Sequence, residues 1–568
     1  MIGLNKIGLN QVQLNRLHLN APFPAYGKMA GGGGSGDGFP QLPGDVTRWH
    51  FGGLTNEMMA AMDDPRIEDA DGKGRFLSFK NFAWKGMSGV GGYAGDFSKW
   101  ANNRDTTEIG ITKSNSKVII DVKVSQGSGK NIVFISKSNL GISNNVTIKI
   151  TSTYPEGVMK FANSASNKYL KLPSNGIITL QDNPEYTSNE MHLHLASADL
   201  GQITIEQLPL YPGALVFDGV DDCGVCDNFP ILTKEKGYTV VALRQWITRG
   251  ERALGLVSNV KNWLNNGAFL LEYRNIQADH LNKPISFGAI GSEMDLPHIL
   301  TYQTSKSYNG VSITTGNFEG TDVLHVGKLA PTNVGTCINA AIWEIVILDH
   351  DATEEELTKI KDYFVKTYPW LFPDQAWTVV GKTNEDEDRA TIANITGNGN
   401  DLVCLNLGFI EGSGYNEEGE YAGYLVTDGV DDTGRAVGLT ISKDFTLVGE
   451  WILFSKTSVN AGLSIHPQIH IFNQPEAIKI VFRTAGKTLP VKSLKAICSD
   501  GRCYDENWSE LKINVGEFTD NKGTLFVASN GTNYAQIAFK NLGIYDNHIL
   551  SKDDCIKAYN YLQTLKAK

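Results

Sequence analysis

Long apolar runs are missing from this sequence of 568 residues. No stretch approaches the roughly 18 apolar residues that identify a membrane-spanning helix. The first residues place Asn and Lys at short intervals between apolar side chains, so they lack the apolar core of a secretory signal. We therefore expect neither membrane insertion nor Sec-dependent export.

Cysteine is scarce, with seven residues scattered between Cys223 and Cys555. An odd number without a regular spacing does not describe a disulfide framework. Cys223 and Cys226 have a CxxC spacing, but no second pair of zinc ligands stands at a comparable spacing. We expect reduced thiols in a protein made in a cytosol, with a labile disulfide between Cys498 and Cys503 as a second option.

Positive charge is in deficit, since 51 Lys and Arg stand against 62 Asp and Glu and give a formal net charge of −11. Neutralising phosphates needs a basic surface, so a nucleic-acid partner is not expected. The Gly-x-Ser-x-Gly elbow, the Walker loop and the dinucleotide fingerprint are absent from the sequence. The acidic run 385–388 is interpreted as solvated loop charge. No catalytic residue is indicated, and we expect that the chain is not an enzyme.

A five-residue repeat fills the first twenty residues. Each unit has two apolar residues at i and i+2, which is a strand-like spacing, followed by a turn-forming Asn. A stripe of this size needs neighbours to complete a core. We predict that it anchors the chain or joins copies of it, and packing against the rest of the same chain is the alternative. The apolar positions are Ile2, Leu4, Ile7, Leu9, Val12, Leu14, Leu17 and Leu19.

A glycine-rich segment at residues 30–38 follows the repeat and has the composition of a flexible linker. Residues 1–38 are therefore assigned to a repetitive N-terminal anchor and its linker. The rest of the chain is rich in glycine and aromatic residues, which favours a turn-rich β architecture. It is too long for one core, because single domains usually contain about 100–200 residues.

The body of the chain contains an internal duplication. Asp-Gly-Val-Asp-Asp occurs at residues 218–222 and again at 428–432, each time after an apolar run. Both copies continue into β-branched and aromatic segments, and both end with a strand followed by a helix whose cap is Thr353 or Ser551. We therefore predict the same module twice.

The front of the module also repeats, around residues 81–93 and 388–415, but in the first copy residues 104–210 intervene before the Asp-Gly motif. This stretch alternates strand-like runs with Ser, Asn and Gly turns, as in a small immunoglobulin-sized sandwich. The predicted fold class is mainly β: two sandwiches, a small inserted sandwich and a short anchor. The first module is assigned to residues 39–103 with 211–373, the insert to 104–210, and the second module to 374–568.

The clustered carboxylates of the repeated motif are candidate Ca²⁺ ligands, because this cation takes several hard oxygen ligands. An Asp-Gly pair also forms tight turns between strands, and this structural interpretation is preferred. No other cofactor is indicated. The candidate ligands are Asp218, Asp221, Asp222, Asp428, Asp431 and Asp432.

The segments Phe217–Asp222 and Thr427–Asp432, with the terminal strand and the closing helix, resemble laminin-G-like modules of the concanavalin superfamily. The resemblance covers about residues 63–100 with 211–373, and 383–568. It implies a sandwich that is shared by lectins, adhesion modules and hydrolases. Superfamily members that cleave glycans carry a Glu-x-Asp-x-x-Glu strand motif, which is not found here. Binding or structural modules are therefore expected.

The five-residue repeat, the glycine linker and the front Ile395–Asp401 of the second module are together similar to virion surface proteins of phages that infect gut Bacteroides, the crAss-like group included. The resemblance implies a virion location and a head fibre held to the capsid by its N-terminus. Its partners would be other virion proteins and host or mucus glycans, and a homotrimer is favoured over a dimer. The alternatives are a tail fibre or receptor-binding protein, a structural decoration protein and a bacterial surface adhesin.

Contacts with sugars would come from exposed aromatic residues in loops or on a concave face. The candidates are Trp100, Trp263, Tyr415 and Trp508. A buried position in a core is the alternative for each of them.

Overall fold

The computed structural model describes residues 38–567 apart from a set of short segments. Contacts divide the chain into two compact units: the chain up to Gly92 with Tyr211–Tyr368, and Tyr93–Leu210 with Pro369–Lys568. The eight apolar residues of the N-terminal repeat lie outside the described residues. So do residues 103–106, 125–129, 142–145, 164–168, 181–189, 198, 249–254, 263–265, 273–285, 288–298, 314–317, 319, 329–336, 398–399, 420, 455–459, 467–468, 475–476, 483–484, 492, 516–520 and 532.

Strands dominate the chain up to the end of the insert. The elements before the insert are β1 (Val46–His50), α1 (Asn56–Ala60), β2 (Arg66–Glu68), β3 (Phe76–Lys80) and β4 (Gly89–Val90). The insert contains a 3₁₀ turn (Phe97–Lys99), β5 (Ala101–Asn102), β6 (Ile109–Lys113), β7 (Lys117–Val122), β8 (Lys130–Ser136), α2 (Lys137–Leu140), β9 (Val146–Ser152), β10 (Met159–Asn163), β11 (Tyr169–Leu172), β12 (Asn175–Leu180), β13 (Glu190–Leu195) and β14 (Gly201–Gln207).

The remainder of the first module ends in a helix. Its elements are β15 (Leu215–Asp218), β16 (Cys223–Cys226), β17 (Thr239–Thr248), β18 (Val257–Asn262), β19 (Asn266–Leu271), β20 (Ser286–Phe287), β21 (Leu300–Thr304), β22 (Ser307–Tyr308), β23 (Val311–Ser312), β24 (Leu324–Val326), β25 (Asn339–Leu348) and α3 (Glu354–Thr367).

The second module ends in the same way. Its elements are a 3₁₀ turn (Pro369–Leu371), β26 (Gln375–Thr378), β27 (Thr391–Ile392), β28 (Leu402–Leu405), β29 (Gly414–Asn416), β30 (Tyr424–Val426), β31 (Thr433–Ile441), β32 (Phe445–Leu453), β33 (Asn460–His466), β34 (Ile469–Gln474), β35 (Ala477–Phe482), β36 (Ala485–Leu489), β37 (Leu494–Cys498), β38 (Arg502–Asp505), β39 (Glu510–Lys512), β40 (Asn521–Val527), β41 (Ile537–Asp546) and α4 (Lys552–Gln563). No helix in the described part of the chain has the length and apolar character to cross a membrane.

Two sheets enclose the core of the first unit. One has the order β23-β22-β21-β17-β25-β15-β4, with β1 also paired to β25, and the other has the order β2-β3-β16-β24-β18-β19-β20. Strand β25 is buried along almost its whole length. Helix α3 covers the face of β25 that is turned away from the core, where the Tyr363 hydroxyl donates a hydrogen bond to Glu344. The core between the sheets includes Trp49, Phe217, Tyr238 and Phe269.

The second module repeats this arrangement with two sheets of eight strands. We call β29-β30-β41-β32-β37-β38-β39, with β26 on β41, its covered sheet, and β27-β28-β31-β40-β33-β34-β35-β36 its open sheet. The core between them includes Trp377, Leu447, Ile471 and Leu525. A mainly β fold with sandwich-like pairs of sheets, as predicted, is confirmed.

Strand register supports the predicted alignment of the two copies. Val216 pairs with Ala341 in the first module, and Val426 pairs with Ala538 in the second. Two tryptophans near the ends of the central strands, Trp246 in β17 and Trp451 in β32, are not counterparts of each other. Trp246 pairs with Ala340, whereas Trp451 pairs with Phe539. Trp451 therefore takes the place of Arg244, which lies two residues before Trp246 in β17.

Both closing helices begin as predicted. The Thr353 hydroxyl accepts a hydrogen bond from the Glu356 amide, and the Glu356 carboxylate accepts one from the Thr353 amide, which completes a capping box. In the second module the Ser551 hydroxyl accepts a hydrogen bond from the Asp554 amide. These caps satisfy amides that a helix leaves free in its first turn.

The insert is a sandwich of two five-stranded antiparallel sheets, with the orders β11-β10-β13-β8-β5 and β12-β9-β14-β7-β6. Its strands alternate inward and outward residues, as in β7, where Val118, Ile120 and Val122 are buried. Ala101 and Asn102 pair with β8, and Phe97 and Trp100 lie in its core. The insert therefore begins before residue 104.

The second module also begins earlier than residue 374. The Trp370 carbonyl accepts a hydrogen bond from the Tyr545 hydroxyl at 2.9 Å, and the Lys557 ammonium lies 4.1 Å from the centre of the Trp370 ring. Residues 369–373 therefore pack with the second module, and Tyr368 is the last residue of the first unit.

The insert packs against the closing helix of the second module, although the chain places it within the first. The Thr147 hydroxyl in β9 donates a hydrogen bond to the Asn560 carbonyl oxygen in α4 at 3.0 Å, and the Asn560 amide donates to the Pro209 carbonyl. Almost all residues of α4 from Ile556 to Leu562 are buried, so the helix is covered on nearly every side. In α3 the buried residues are only Glu356, Ile360, Tyr363 and Phe364. The insert and the second module thus form one compact unit.

Candidate functional site

The two Asp-Gly-Val-Asp-Asp motifs form identical turns. The Asp222 side chain has no exposed surface, and it accepts hydrogen bonds from the Asp218 amide at 3.0 Å and from the Ser88 hydroxyl at 2.9 Å. Asp218 in turn accepts one from the Val220 amide. In the second module Asp432 accepts from the Asp428 amide at 2.9 Å, and Asp428 accepts from the Val430 amide. Each motif therefore stabilises its own turn.

The same carboxylates are close enough together to approach one cation. In each motif one oxygen from each of the three carboxylates lies within 4.8 Å of the other two. Burial raises the pKa of Asp222 to about 7, and burial also raises the pKa of Asp432. A carboxyl group that keeps its proton is a poor cation ligand, and the turn amides already occupy some of the oxygens. Ca²⁺ binding at either cluster stays a prediction.

A pair of asparagines holds the front of each module against the Asp-Gly turn. Asn56 exchanges two hydrogen bonds with the backbone of Val90, and Asn384 does the same with the backbone of Tyr415. Asn81 donates to the Asp221 carbonyl, and Asn406 donates to the Asp431 carbonyl. The conserved geometry of these bonds in both copies makes them part of the module's framework.

Asn56 and Asn384 were missed from the sequence, although a signal was present. Trp49 is followed after five residues by Thr55-Asn56-Glu57, and Trp377 is followed after five residues by Thr383-Asn384-Glu385. The two tryptophans also occupy the same place in the sheets, since Trp49 pairs with Ile345 and Trp377 with Leu542. The repeated module therefore starts at its first strand, before the front recognised by sequence.

Three buried carboxylates, each next to a cation, were also not found by sequence reasoning. The signal was a single Glu inside an apolar strand, as in Glu344 of β25 and Glu450 of β32. Burial opposes the charge of Glu450, but the Lys495 and Lys540 ammonium groups outweigh it and lower its pKa to about 2. The charged pairs are Arg48 with Glu344, Arg244 with Glu272 and Lys495 with Glu450. Their burial gives them a structural role.

The outer face of the open sheet is the accessible sheet face of the second module. On the covered sheet, Tyr559 of α4 donates to Glu450 at 2.6 Å, so the helix lies over that face. On the open sheet, inward residues such as Ile471 and Ile480 are buried, while the intervening Phe472 and Lys479 keep exposed surface. Val403 and Val437 on the same face are 42% and 54% exposed.

A continuous cross-strand row runs over this face. Its residues are Val403, Arg435, Phe526, Ser464, His470, Val481 and Gly486, each paired with the next across neighbouring strands. Ser464 in the middle of the row is buried, and the other six residues keep exposed surface. Phe472 lies beside His470 with ring centres 6.0 Å apart. With strands about 4.8 Å apart, the row extends over about 29 Å. This length is sufficient for an elongated ligand that crosses several strands.

Three of the four aromatic residues predicted to contact sugars are not on this face. Trp100 is fully buried against Phe97 in the insert, and Trp508 is 1% exposed and packs against Tyr559. Tyr415 is 2% exposed and donates to the Arg389 carbonyl. A side chain without exposed surface cannot contact a sugar, so these three predictions are corrected to core positions. Trp263 lies outside the described residues.

All seven cysteines are buried free thiols. Ile497 pairs with Cys503 across the hairpin of β37 and β38, so the neighbouring Cys498 points to the opposite face of the sheet from Cys503. The Cys498 thiol is instead a hydrogen-bond partner of the Cys555 thiol in α4. The predicted option of a disulfide between Cys498 and Cys503 therefore does not fit this geometry.

No protein-family model and no curated protein matches the chain. Among solved structures, Trypanosoma rangeli sialidase in complex with sialic acid aligns with 87% of this chain and 67% of its own, at 9% identity and a TM-score of 0.24. A mutant of that sialidase with trans-sialidase activity aligns with 80% and 84%, at 10% identity and 0.22. Botulinum neurotoxin type C, described with two ganglioside molecules, aligns with 82% and 95%, at 7% identity and 0.12. Scores this low carry no argument about ligand or activity.

The comparison nevertheless corrects one expectation. The expectation that the chain is not an enzyme is withdrawn, because sialidases, which are enzymes, are among the solved structures that match over most of its length. The missing Glu-x-Asp-x-x-Glu motif excluded one catalytic arrangement and no others. At a TM-score of 0.24 the match assigns no particular reaction to this chain.

Proposed function

We propose that the chain is a carbohydrate-binding protein of the phage virion, a head fibre that displays its second module to host or mucus glycans. The observation that carries the binding part is the open sheet, whose outer face combines partly exposed aromatic rings with hydroxyl, amide and cationic side chains. Ligand sites for small molecules and sugars join apolar surface with a few placed polar groups. The face is therefore suited to the flat and polar surfaces of a glycan chain.

The first module supports this choice by contrast. Its counterparts of Ser464, Phe526 and His470 are Ser258, His325 and Leu270, because these residues occupy the same paired positions. Ser258, His325 and Leu270 are all buried, whereas in the second module only Ser464 is buried and Phe526 and His470 keep exposed surface. Burial lowers the pKa of His325 to about 4. The equivalent face of the first module is thus closed, which leaves the second module as the binding one.

Binding is tested with a printed array of polysaccharides and the fluorescently labelled full chain. We expect retention on a subset of surface polysaccharides, with competition by the same soluble glycan. A chain that is folded by circular dichroism and binds none of the printed glycans would falsify the carbohydrate-binding proposal.

The virion part of the proposal comes from the N-terminal repeat and the glycine linker. The repeat would attach to capsid proteins, and its apolar stripe would be completed in a homotrimer. Deletion of residues 2–20 should leave the modules folded and abolish incorporation into particles. Electron microscopy with an antibody against the second module then distinguishes head from tail attachment. Normal incorporation of the truncated chain would contradict the anchor.

A further inference from the structure

We propose that the open sheet of the second module binds an anionic polysaccharide, with Arg435, Lys479 and Lys522 as the residues that recognise its negative charge. This inference rests on the proposed carbohydrate-binding function and goes beyond it by naming the ligand class and the site. An acidic glycan here means a chain that carries carboxylate or sulfate groups.

The charge of the open sheet is opposite to that of the protein. The whole chain has an excess of acidic residues and a formal net charge of −11. The eight strands of the open sheet contain no Asp or Glu, and they carry the basic residues Arg435, Lys479, Lys487 and Lys522. Because these strands lack acidic side chains in a protein that is acidic overall, their surface favours anions.

Three of these four basic residues belong to the outer face. Arg435, Lys479 and Lys522 alternate along their strands with the buried residues Ala436, Ile480 and Leu525 and their neighbours. Lys487 differs, because it pairs with the inward-facing Ile480 and its ammonium group donates to the Lys512 carbonyl at 2.8 Å. Arg435, Lys479 and Lys522 therefore lie on the outer face of the open sheet, and Lys487 belongs to its other face.

The three outward cations have no neutralising carboxylate among the residues that the structure describes. None of Arg435, Lys479 and Lys522 takes part in an ion pair within the described part of the chain. Elsewhere in the same module the exposed Lys512 and the partly exposed Arg502 are each paired with a neighbouring carboxylate. The positive charge on the open sheet is therefore available to an anionic ligand.

The cations surround the aromatic rings of the face. The Arg435 guanidinium lies 5.8 Å from the centre of the Phe526 ring, and Lys479 pairs across the sheet with Phe472. Arg435 and Lys479 are four strands apart, which corresponds to about 19 Å. An acidic glycan lying across the strands would place its rings on Phe526 and Phe472 while its anionic groups reach the cations at both ends.

A nucleic acid would be the other anionic polymer, but the observations favour a glycan. Nucleic-acid binding relies on neutralising many closely spaced phosphates, and this face offers three separated cations on a protein of net negative charge. Nucleic acid is therefore included in the test as a competing ligand.

The test measures affinity of the full chain by isothermal titration at about 50 mM and 200 mM salt. The probes are polygalacturonate and heparin as acidic polysaccharides, dextran as a neutral one and single-stranded DNA. We expect an acidic polysaccharide to bind more tightly than dextran and DNA, and we expect the affinity to fall as salt rises. The triple variant R435Q/K479Q/K522Q should lose at least tenfold in affinity, and F526L should also weaken binding.

Lys487→Gln is the matched control, because it removes the same charge from the same sheet on its other side. It should leave the affinity within twofold of the wild type. Equal loss in Lys487→Gln and in the triple variant, an unchanged affinity in the triple variant, or preferred binding of dextran or DNA would overturn this site and ligand class. In those outcomes glycan binding on the array would still stand, whereas a wild-type chain that binds no polysaccharide at all refutes the proposed function itself.

Discussion

Asn560 in the closing helix of the second module accepts a hydrogen bond from the Thr147 hydroxyl in the insert at 3.0 Å. Its own amide donates to the Pro209 carbonyl at the end of the insert. Both Thr147 and Asn560 are buried. One side chain of the second module thus forms hydrogen bonds with two separate segments of the insert, β9 and the residues that follow β14.

Replacing Asn560 tests the importance of this junction. Asn560→Ala removes both hydrogen bonds, and we expect the free energy of unfolding of the second unit to fall by about 1–2 kcal/mol. Hydrogen exchange should increase in β9 and α4. The control is Asp362→Ala, an exposed residue at the matching position of α3, which should change stability by less than about 0.5 kcal/mol. Equal effects of the two variants would show that the junction contributes nothing.

The buried pair of Glu450 and Lys495 gives a second prediction. Glu450→Gln leaves the buried Lys495 without its carboxylate, so we expect a loss of about 3 kcal/mol at pH 7, measured by chemical denaturation. Because the pKa of Glu450 is lowered to about 2, its contribution is present above its unfolded pKa of 4.5 and is lost as the pH falls towards 2.

The difference between wild type and Glu450→Gln should therefore shrink between pH 5 and pH 2.5. Glu510→Gln, at an exposed edge strand of the same sheet, is the control and should remain close to wild type throughout. A Glu450→Gln difference that stays constant over this pH range would contradict the lowered pKa.

The carboxyl group of Asp222 should give the stability of the first unit the opposite dependence on pH. Burial raises its pKa from 3.8 to about 7, so its protonated form favours the folded state. This contribution is fully present below about pH 4 and is lost as the pH rises through 7. Asp222→Asn should therefore flatten the decline in stability between pH 4.5 and pH 8, as followed by urea denaturation.

The control for this experiment is Asp221→Asn, because Asp221 is exposed in the same turn. It should keep the wild-type dependence on pH. If the Asp222→Asn and wild-type curves remain parallel, the carboxyl group of Asp222 does not titrate in this range.

Asn56 and Asn384 test whether the duplicated modules are built alike. Asn56→Ala and Asn384→Ala each remove two hydrogen bonds to a strand backbone. We expect each to lower the stability of its own unit by about 1–3 kcal/mol, with the other unit unchanged, in calorimetry that resolves the two transitions. A response in one module alone would show that the shared geometry does not have the same importance in both copies.

Much of the fold was predictable because its signals are local. The Asp-Gly turns, the alternation of apolar residues in β7 and the caps Thr353 and Ser551 depend on neighbours within a few residues. Their structural consequences follow from turn formation, strand periodicity and helix capping. The duplication was visible for the same reason, because the same turn sequence, Asp-Gly-Val-Asp-Asp, occurs in both copies.

The candidate site was less predictable because burial is a property of the assembled sheets. Trp100, Tyr415 and Trp508 have the side chains that suit a sugar site, yet all three lie in cores. Aromatic residues serve both purposes, and composition does not distinguish them. The cations Arg435, Lys479 and Lys522 are far apart in sequence and are brought to one face by strand pairing.

The sequence by itself determined that this protein is mainly β, that it carries one module twice, and where the turns and closing helices of each copy lie. The tertiary structure decided that the insert packs on Asn560 of the second module, because contacts between residues so distant in the chain leave no local pattern. It also decided which sheet is open, since α4 covers one sheet of the second module and leaves the cationic face of the other accessible. Side-chain alternation gives each strand two faces, and only the packing of neighbouring elements determines which face meets solvent.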